Sequence, residues 1–165
     1  MIKVAMIGIN FYSHGAQVWK KLTNNPDVFE VAGYVLPENE RAKYPSKMAM
    51  FEGYTELELS EVLNDPTIDA VIIETDEIYL TKYALMAARA GKHMHMEKPG
   101  GHDLRQFEEL TKTVKENNVL WHIGYMYRYN PAVRRVFELI ENGSIGEIYS
   151  VNAEMSTYHP KGYKE

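Results

Sequence analysis

Glu97-Lys98-Pro99 is the tripeptide in this chain whose residue types and order could do chemistry. A carboxylate and an ammonium stand side by side, and proline fixes the backbone directly after them. They follow Lys92-His93-Met94-His95-Met96, an apolar-and-histidine run of strand length, and precede Gly100-Gly101. In open α/β sheets, ligands bind outside the carboxyl ends of strands. An acid and a base held at such an end by a rigid turn suit proton transfer to and from a bound group. The alternative is a plain turn with a solvated ion pair, and the tripeptide by itself leaves both open.

The elements that must position this turn can be read from the hydrophobic pattern. Ile2–Ile7 is an apolar run, broken only by Lys3 and ended by Gly8, the mark of a strand buried on both faces. A helical pattern follows, with Ala16, Val18, Trp19 and Leu22 on one face and Asn24-Asn25-Pro26 as the stop. Phe29–Val35 reads as a second strand, 37–47 as a polar helix, Glu52-Gly53-Tyr54 as a short crossing segment and Leu57–Leu63 as a brief helix. Ile68–Ile73 is another buried strand, and Ile78–Ala90 an amphipathic helix closed by Gly91. His93–Met96 is the strand before the turn. Asp103 is the expected cap of a helix over 104–117, Val119–Tyr125 a further strand, and Pro131 the first turn of a helix running to Asn142-Gly143.

Six alternations of strand and helix require a parallel sheet with helices on both faces. Right-handed crossovers make that sheet doubly wound. The fold class expected is therefore α/β, Rossmann-like, over residues 1–146. After Gly146 the pattern changes. Ile148, Ser150, Asn152 and Glu154 alternate with Tyr149, Val151, Ala153 and Met155, as in an antiparallel sheet with one wet face. Residues 147–157 are read as one strand of a truncated α+β domain spanning 147–165, with Tyr158–Glu165 as loop.

Composition narrows the classes. The chain has 165 residues, is 45% hydrophobic and 25% charged, and carries a net charge of −5. That suits a globular domain with a real core and speaks against nucleic acid or an anionic membrane as partner. Without cysteine there is no disulfide, thiolate chemistry or Cys-based metal site. The N-terminus is too quickly interrupted for a signal peptide, and no run approaches the roughly 18 apolar residues of a spanning helix. The expectation is a cytoplasmic protein. His93, His95 and His102 lack acidic partners at ligand-like spacing, so no metal site is expected.

The first strand and its turn resemble the dinucleotide fingerprint Gly-x-Gly-x-x-Gly in part. Gly8 holds the first position, Asn10 the second and Ser13 the third. A ribose-binding acid is expected near Leu36, but Glu38 is the nearest acid, and no Arg stands adjacent for a 2′-phosphate. The helix start beyond the turn still offers N–H groups to a phosphate.

Taken together, the Gly8 turn, Asn39-Glu40-Arg41-Ala42, Ile68-Asp69-Ala70-Val71-Ile72-Ile73-Glu74-Thr75, Ala90-Gly91-Lys92-His93 leading to Glu97-Lys98-Pro99, Gly124-Tyr125-Met126-Tyr127-Arg128-Tyr129-Asn130-Pro131 and Gly143-Ser144-Ile145-Gly146-Glu147-Ile148 resemble the Gfo/Idh/MocA oxidoreductases. The resemblance covers essentially the whole chain. It implies a Rossmann domain that binds NAD or NADP, with NAD favoured here, and a second domain with an open antiparallel sheet that takes a sugar, cyclitol or related polyol. It implies that Lys98 is the catalytic residue, beside the nicotinamide and the reacting hydroxyl, with Glu97 orienting it or meeting the ribose. It also implies that Gly8, Asn10, Phe11, Tyr12, Leu36, Thr75, Asp76, Glu97, Lys98 and Tyr127 border the cofactor. Where the family commonly reads Thr-Pro-Asn followed by a His, this chain has Thr75-Asp76-Glu77 and then Thr81.

The family's remaining catalytic residues, usually an Asp and a His, belong to the second domain, of which only 147–157 is present. The chain by itself is therefore expected to be inactive, with self-association through 147–157 as a further expectation. The reading from a different class is a non-catalytic Rossmann module that regulates, scaffolds or binds another nucleotide or a sugar phosphate.

Overall fold

A computed structural model describes residues 1–156. Five parallel strands form one sheet in the order β2-β1-β3-β4-β5. They are β1 (Ile2–Ile7), β2 (Phe29–Val35), β3 (Ala70–Ile73), β4 (His93–Met96) and β5 (Trp121–Ile123). The connections carry α1 (Gly15–Thr23), α2 (Glu40–Lys43), α3 (Leu59–Asn64), α4 (Leu80–Arg89) and α5 (Leu104–Glu116). This is the expected doubly wound α/β sheet.

Side-chain alternation along each strand divides the core in two. Val4 and Met6 of β1, with Ile72 of β3, pack on Trp19, Leu22, Tyr34 and Phe51. Ala5 and Ile7, with Val71 and Ile73, pack on Leu80, Ala84, Ala88 and Leu110. The inner strands β1 and β3 are thus covered on both faces, which is why Val4–Ile7 and Ala70–Ile73 are unbroken apolar runs. Each fully buried Ile or Leu side chain contributes about 1.5–3 kcal/mol to this core.

Several elements differ in extent from the sequence reading. The polar stretch 37–47 is not one helix: α2 is a single turn, followed by a 3-10 segment Pro45–Phe51. Asn39, just before α2, has φ 60°, and Pro45 cannot continue a helix. After the crossing segment Glu52-Gly53-Tyr54 the chain runs along the edge strand β2 opposite Tyr34, with Tyr34 N donating to Thr55 O at 3.0 Å and Leu57 N donating to Tyr34 O at 2.8 Å. The segment Val119–Tyr125 contributes only Trp121–Ile123 to the ladder, opposite Met94–Met96. Asp103 caps α5 as expected, its Oδ1 accepting from Arg105 N at 2.8 Å and Gln106 N at 3.4 Å.

The chain forms two compact units, Met1–Tyr125 and a second beginning at Met126. Within the second, a 3-10 turn Met126–Tyr129 leads to α6 (Pro131–Glu141). Asn130 Oδ1 accepts from Ala132 N at 2.9 Å and caps α6, with Pro131 in the first turn. The strand expected over 147–157 is not formed among the described residues, because 147–156 have no ladder to join. Thr157, the loop Tyr158–Glu165 and His159 within it lie outside the described residues.

Candidate nucleotide site at the carboxyl edge of the sheet

Register builds this site. Val35, Ile7, Ile73, Met96 and Ile123 lie in one row across the five strands. The loops therefore all open at one edge, beginning with Leu36, Gly8, Glu74, Glu97 and Gly124. The chain leaves β1 for one side of the sheet and β3 for the other, and such a switch point is where open sheets bind ligands.

The first turn starts at Gly8, with φ 82°. A Cβ built there would lie 2.6 Å from Thr75 Cβ and 2.7 Å from Thr75 Cα, so only glycine lets β1 and β3 loops cross this closely. Asn10, in place of the fingerprint's second glycine, is buried. Its Nδ2 donates to Thr75 O at 2.8 Å and to Glu74 O at 3.3 Å. Its Oδ1 accepts from Tyr12 N and Ser13 N, both at 2.8 Å. Ser13 in turn accepts from Gly15 N at 3.2 Å. Phe11 and Tyr12 are exposed, ring edge to ring face at 5.1 Å, and the Lys47 ammonium lies 5.4 Å over Phe11.

Three buried carboxylates surround the turn. Glu97 Oε2 accepts from His14 N and contacts His14 Nδ1, each at 2.8 Å, while Oε1 accepts from Lys98 N at 2.7 Å. Burial pushes this carboxyl up, but the bonds from His14 and Lys98 outweigh it and hold it below its ordinary value. Glu40 accepts from Ile9 N at 3.0 Å and from the Thr75 hydroxyl. Burial raises it to about 7 against those two bonds. Glu74 is fully buried, neither oxygen has a hydrogen bond of good geometry, and Oε1 lies 3.8 Å from His95 Nε2. Burial, then the Glu97 charge, pushes it up to about 8, with Ser13 and Lys98 offsetting part of the rise.

Lys98 is half-buried, and among the described residues its ammonium makes no hydrogen bond or ion pair. The Lys98–Pro99 peptide is cis. Thr81 Oγ1 donates to Gly100 O at 3.1 Å, tying the turn to α4. His95 faces His122, Nδ1 to Nδ1 at 2.7 Å, and burial followed by the His122 charge lowers its pKa to about 4. Among the described residues no group of three or more His, Asp or Glu is arranged to hold a metal.

Of the residues implied as cofactor contacts, Gly8, Asn10, Thr75, Glu97 and Lys98 gather at this edge. Leu36 is half-buried against the Trp19 cluster and presents no polar group. Asp76 is occupied by Tyr44 OH and by Lys43 Nζ at 3.4 Å. Tyr127 lies in the second unit, half exposed in its 3-10 turn. The sequence reading missed His14, Glu40 and Glu74 as parts of this edge. The only signal for Glu40 and Glu74 was their place in the family-like segments.

A nucleotide fits here in part. The free Lys98 ammonium and the narrow Gly8–Thr75 crossing suit it. The amides of Ile9, Tyr12, Ser13, His14 and Gly15 do not stand open to a pyrophosphate, because side chains of the chain itself already accept from them.

The comparisons agree with this architecture. Residues 2–125 match a family model described as an oxidoreductase family with an NAD-binding Rossmann fold. The chain is 38% identical over 87 residues to a scyllo-inositol 2-dehydrogenase (NAD(+)) of Bacillus subtilis, covering 53% of this chain and 25% of that protein. It is 25% identical over 162 residues to a scyllo-inositol 2-dehydrogenase (NADP(+)) of the same organism, covering 97% of this chain and 43% of that one. A crystal structure of scyllo-inositol dehydrogenase from Lactobacillus casei with NAD(H) and scyllo-inositol shares the fold at TM-score 0.71 and 20% identity, over 89% of this chain and 43% of that one. The chain thus spans less than half the length of these relatives. With its parallel sheet, its Gly8 turn and its Glu97-Lys98-Pro99 edge, this chain belongs to the Gfo/Idh/MocA oxidoreductase family, within its NAD-binding Rossmann fold.

Proposed function

We propose that this chain is the nicotinamide-nucleotide-binding part of an oxidoreductase that moves a hydride between NAD(P) and the hydroxyl-bearing carbon of a sugar, cyclitol or related polyol. The observation that carries the reading is the Lys98 ammonium, half-buried and unpaired among the described residues at the end of β4. Bound nicotinamide would accept or give the hydride. Lys98 would hydrogen-bond the substrate hydroxyl and relay its proton. Glu97, anchored on His14 N, would fix the backbone that carries Lys98. Relatives named for inositols, and one named levoglucosan dehydrogenase, support the polyol class. NAD is the favoured nucleotide, since the nearby cations Arg41, Lys43 and Lys82 are paired with Glu56, Asp76 and Glu38.

In the same reading, residues from 147 open a second domain that supplies the rest of the site. There 147–157 pairs as a strand with that domain or with a second copy, and the protein works in the cytoplasm. Thermal unfolding with and without NAD(H) and NADP(H) tests the nucleotide claim. At about tenfold over Kd, a ligand that binds only the folded state adds about 1.4 kcal/mol, or roughly 3–6 °C in Tm. An unmoved Tm at millimolar nucleotide would sink it. One observation favours the other reading, a non-catalytic Rossmann module: five amides of the first turn, those of Ile9, Tyr12, Ser13, His14 and Gly15, are already satisfied. A panel of other nucleotides and sugar phosphates in the same assay separates the two.

A further inference from the structure

In folds of this kind the pyrophosphate of a dinucleotide meets the amides of the first turn and the positive end of the following helix. In this chain Ile9 N is bound by Glu40, Tyr12 N and Ser13 N by Asn10, His14 N by Glu97, and Gly15 N by Ser13. The acceptor at the N-cap of α1 is the Glu97 carboxyl, held below its ordinary value, so the positive helix end already faces an anion. Asn10 is locked as well as buried. Its Oδ1 faces two N–H donors and its Nδ2 faces two carbonyl oxygens, so rotating the amide would oppose donor to donor and acceptor to acceptor. A phosphate that took the Tyr12 and Ser13 amides would have to evict this side chain and strand its buried amide.

One cation stands on the outer side of the same turn. The Lys47 ammonium lies over the exposed Phe11 ring at 5.4 Å and, among the described residues, pairs with no carboxylate.

We propose that Asn10 closes the amide cradle and that a bound dinucleotide keeps its pyrophosphate on the outer side of the turn, against Lys47. This rests on the nucleotide-binding reading above and adds where the phosphates lie. Asn10 is then a pose-setting residue, and Lys47 a phosphate contact that the fingerprint does not foresee.

The test titrates NAD into the ¹⁵N-labelled chain, and into Lys47→Met and Asn10→Gly, following both Kd and the side-chain amide signals of Asn10. Expected are Asn10 side-chain signals unmoved by NAD, and a Kd about tenfold weaker in Lys47→Met, the difference shrinking with added salt. If NAD binds while the Asn10 signals collapse toward those of a solvated amide and Lys47→Met binds as well as the parent, the pose is wrong although the nucleotide reading stands. If neither NAD, NADH nor NADP binds the chain or either variant, both the pose and the reading beneath it fall. Because the Asn10 signals are read in the unaltered chain, the result does not depend on either variant folding.

Discussion

Glu97 Oε2 lies 2.8 Å from both the backbone nitrogen and Nδ1 of His14, which joins the end of β4 to the start of α1 across 83 residues of sequence. With Oε1 on Lys98 N, one buried carboxylate satisfies two backbone donors. The acid of the conspicuous tripeptide is therefore a clamp on the first turn, and the ammonium beside it makes no hydrogen bond or ion pair among the described residues.

That clamp has a specific weakness. A glutamine at 97 has one oxygen for two N–H donors, so either His14 N or Lys98 N loses its acceptor. Glu97→Gln should cost about 1–3 kcal/mol, seen as a Tm several degrees lower. His14→Ala removes only the ring contact and should cost less. Equal melting of Glu97→Gln and the parent would show that the clamp does not matter.

Burial raises Glu74 to about 8 and Glu40 to about 7. The folded chain therefore keeps protons that the unfolded chain, titrating near 4.5, gives up. Their contribution to stability is complete below about pH 4.5 and is lost as pH rises through 7 for Glu40 and 8 for Glu74. The slope is at most about 1.4 kcal/mol per pH unit for each group. Tm should fall between pH 5 and 8, and Glu74→Gln should flatten that fall. A Tm that rises over this window would contradict the assignment.

Two glycines with the same φ of 82° separate strain from crowding. At Gly53 an added Cβ meets nothing within 4 Å, whereas at Gly8 it meets the Thr75 backbone. Gly53→Ala should cost about 1 kcal/mol from conformation alone. Gly8→Ala should cost at least twice that, because the neighbour is main chain and cannot swing aside. Urea denaturation of both variants decides it, and equal midpoints would refute the crowding argument.

If the proposed function holds, then in a form that carries the proposed second domain Lys98→Met should lower kcat by about 10²- to 10⁴-fold, the range for a positioned acid–base group. NAD affinity should change by less than tenfold. Steady-state kinetics with a panel of inositols and sugars would measure it. Turnover within tenfold of the parent would remove Lys98 from the chemistry.

What could be read in advance followed from local physics. The strands Ile2–Ile7 and Phe29–Val35 were legible because their carboxyl-terminal stretches Val4–Ile7 and Ala32–Val35, the better-buried parts, carry no charge, and His93–Met96 because Met94 and Met96 alternate as its buried positions. The Asp103 cap and the Gly91 stop were legible because helix ends have unsatisfied groups that few residues satisfy. The carboxyl-edge position of Glu97-Lys98-Pro99 followed from strand order and the direction of the chain. The expected strand 147–157 needed a ladder partner, which pattern alone does not supply.

By itself the sequence determined a parallel, doubly wound sheet and the edge where Gly8, Glu97 and Lys98 collect, because hydrophobic periodicity and turn residues act over a few positions. Only the tertiary structure decided what those groups do. Glu40 reaches Ile9 across 31 residues, Asn10 reaches Thr75 across 65, and Glu97 reaches His14 across 83. The first two satisfy buried groups that water does not reach, and the third a part-buried one. Such pairings are fixed by packing and desolvation, which depend on three-dimensional neighbours and leave no periodic trace in the chain.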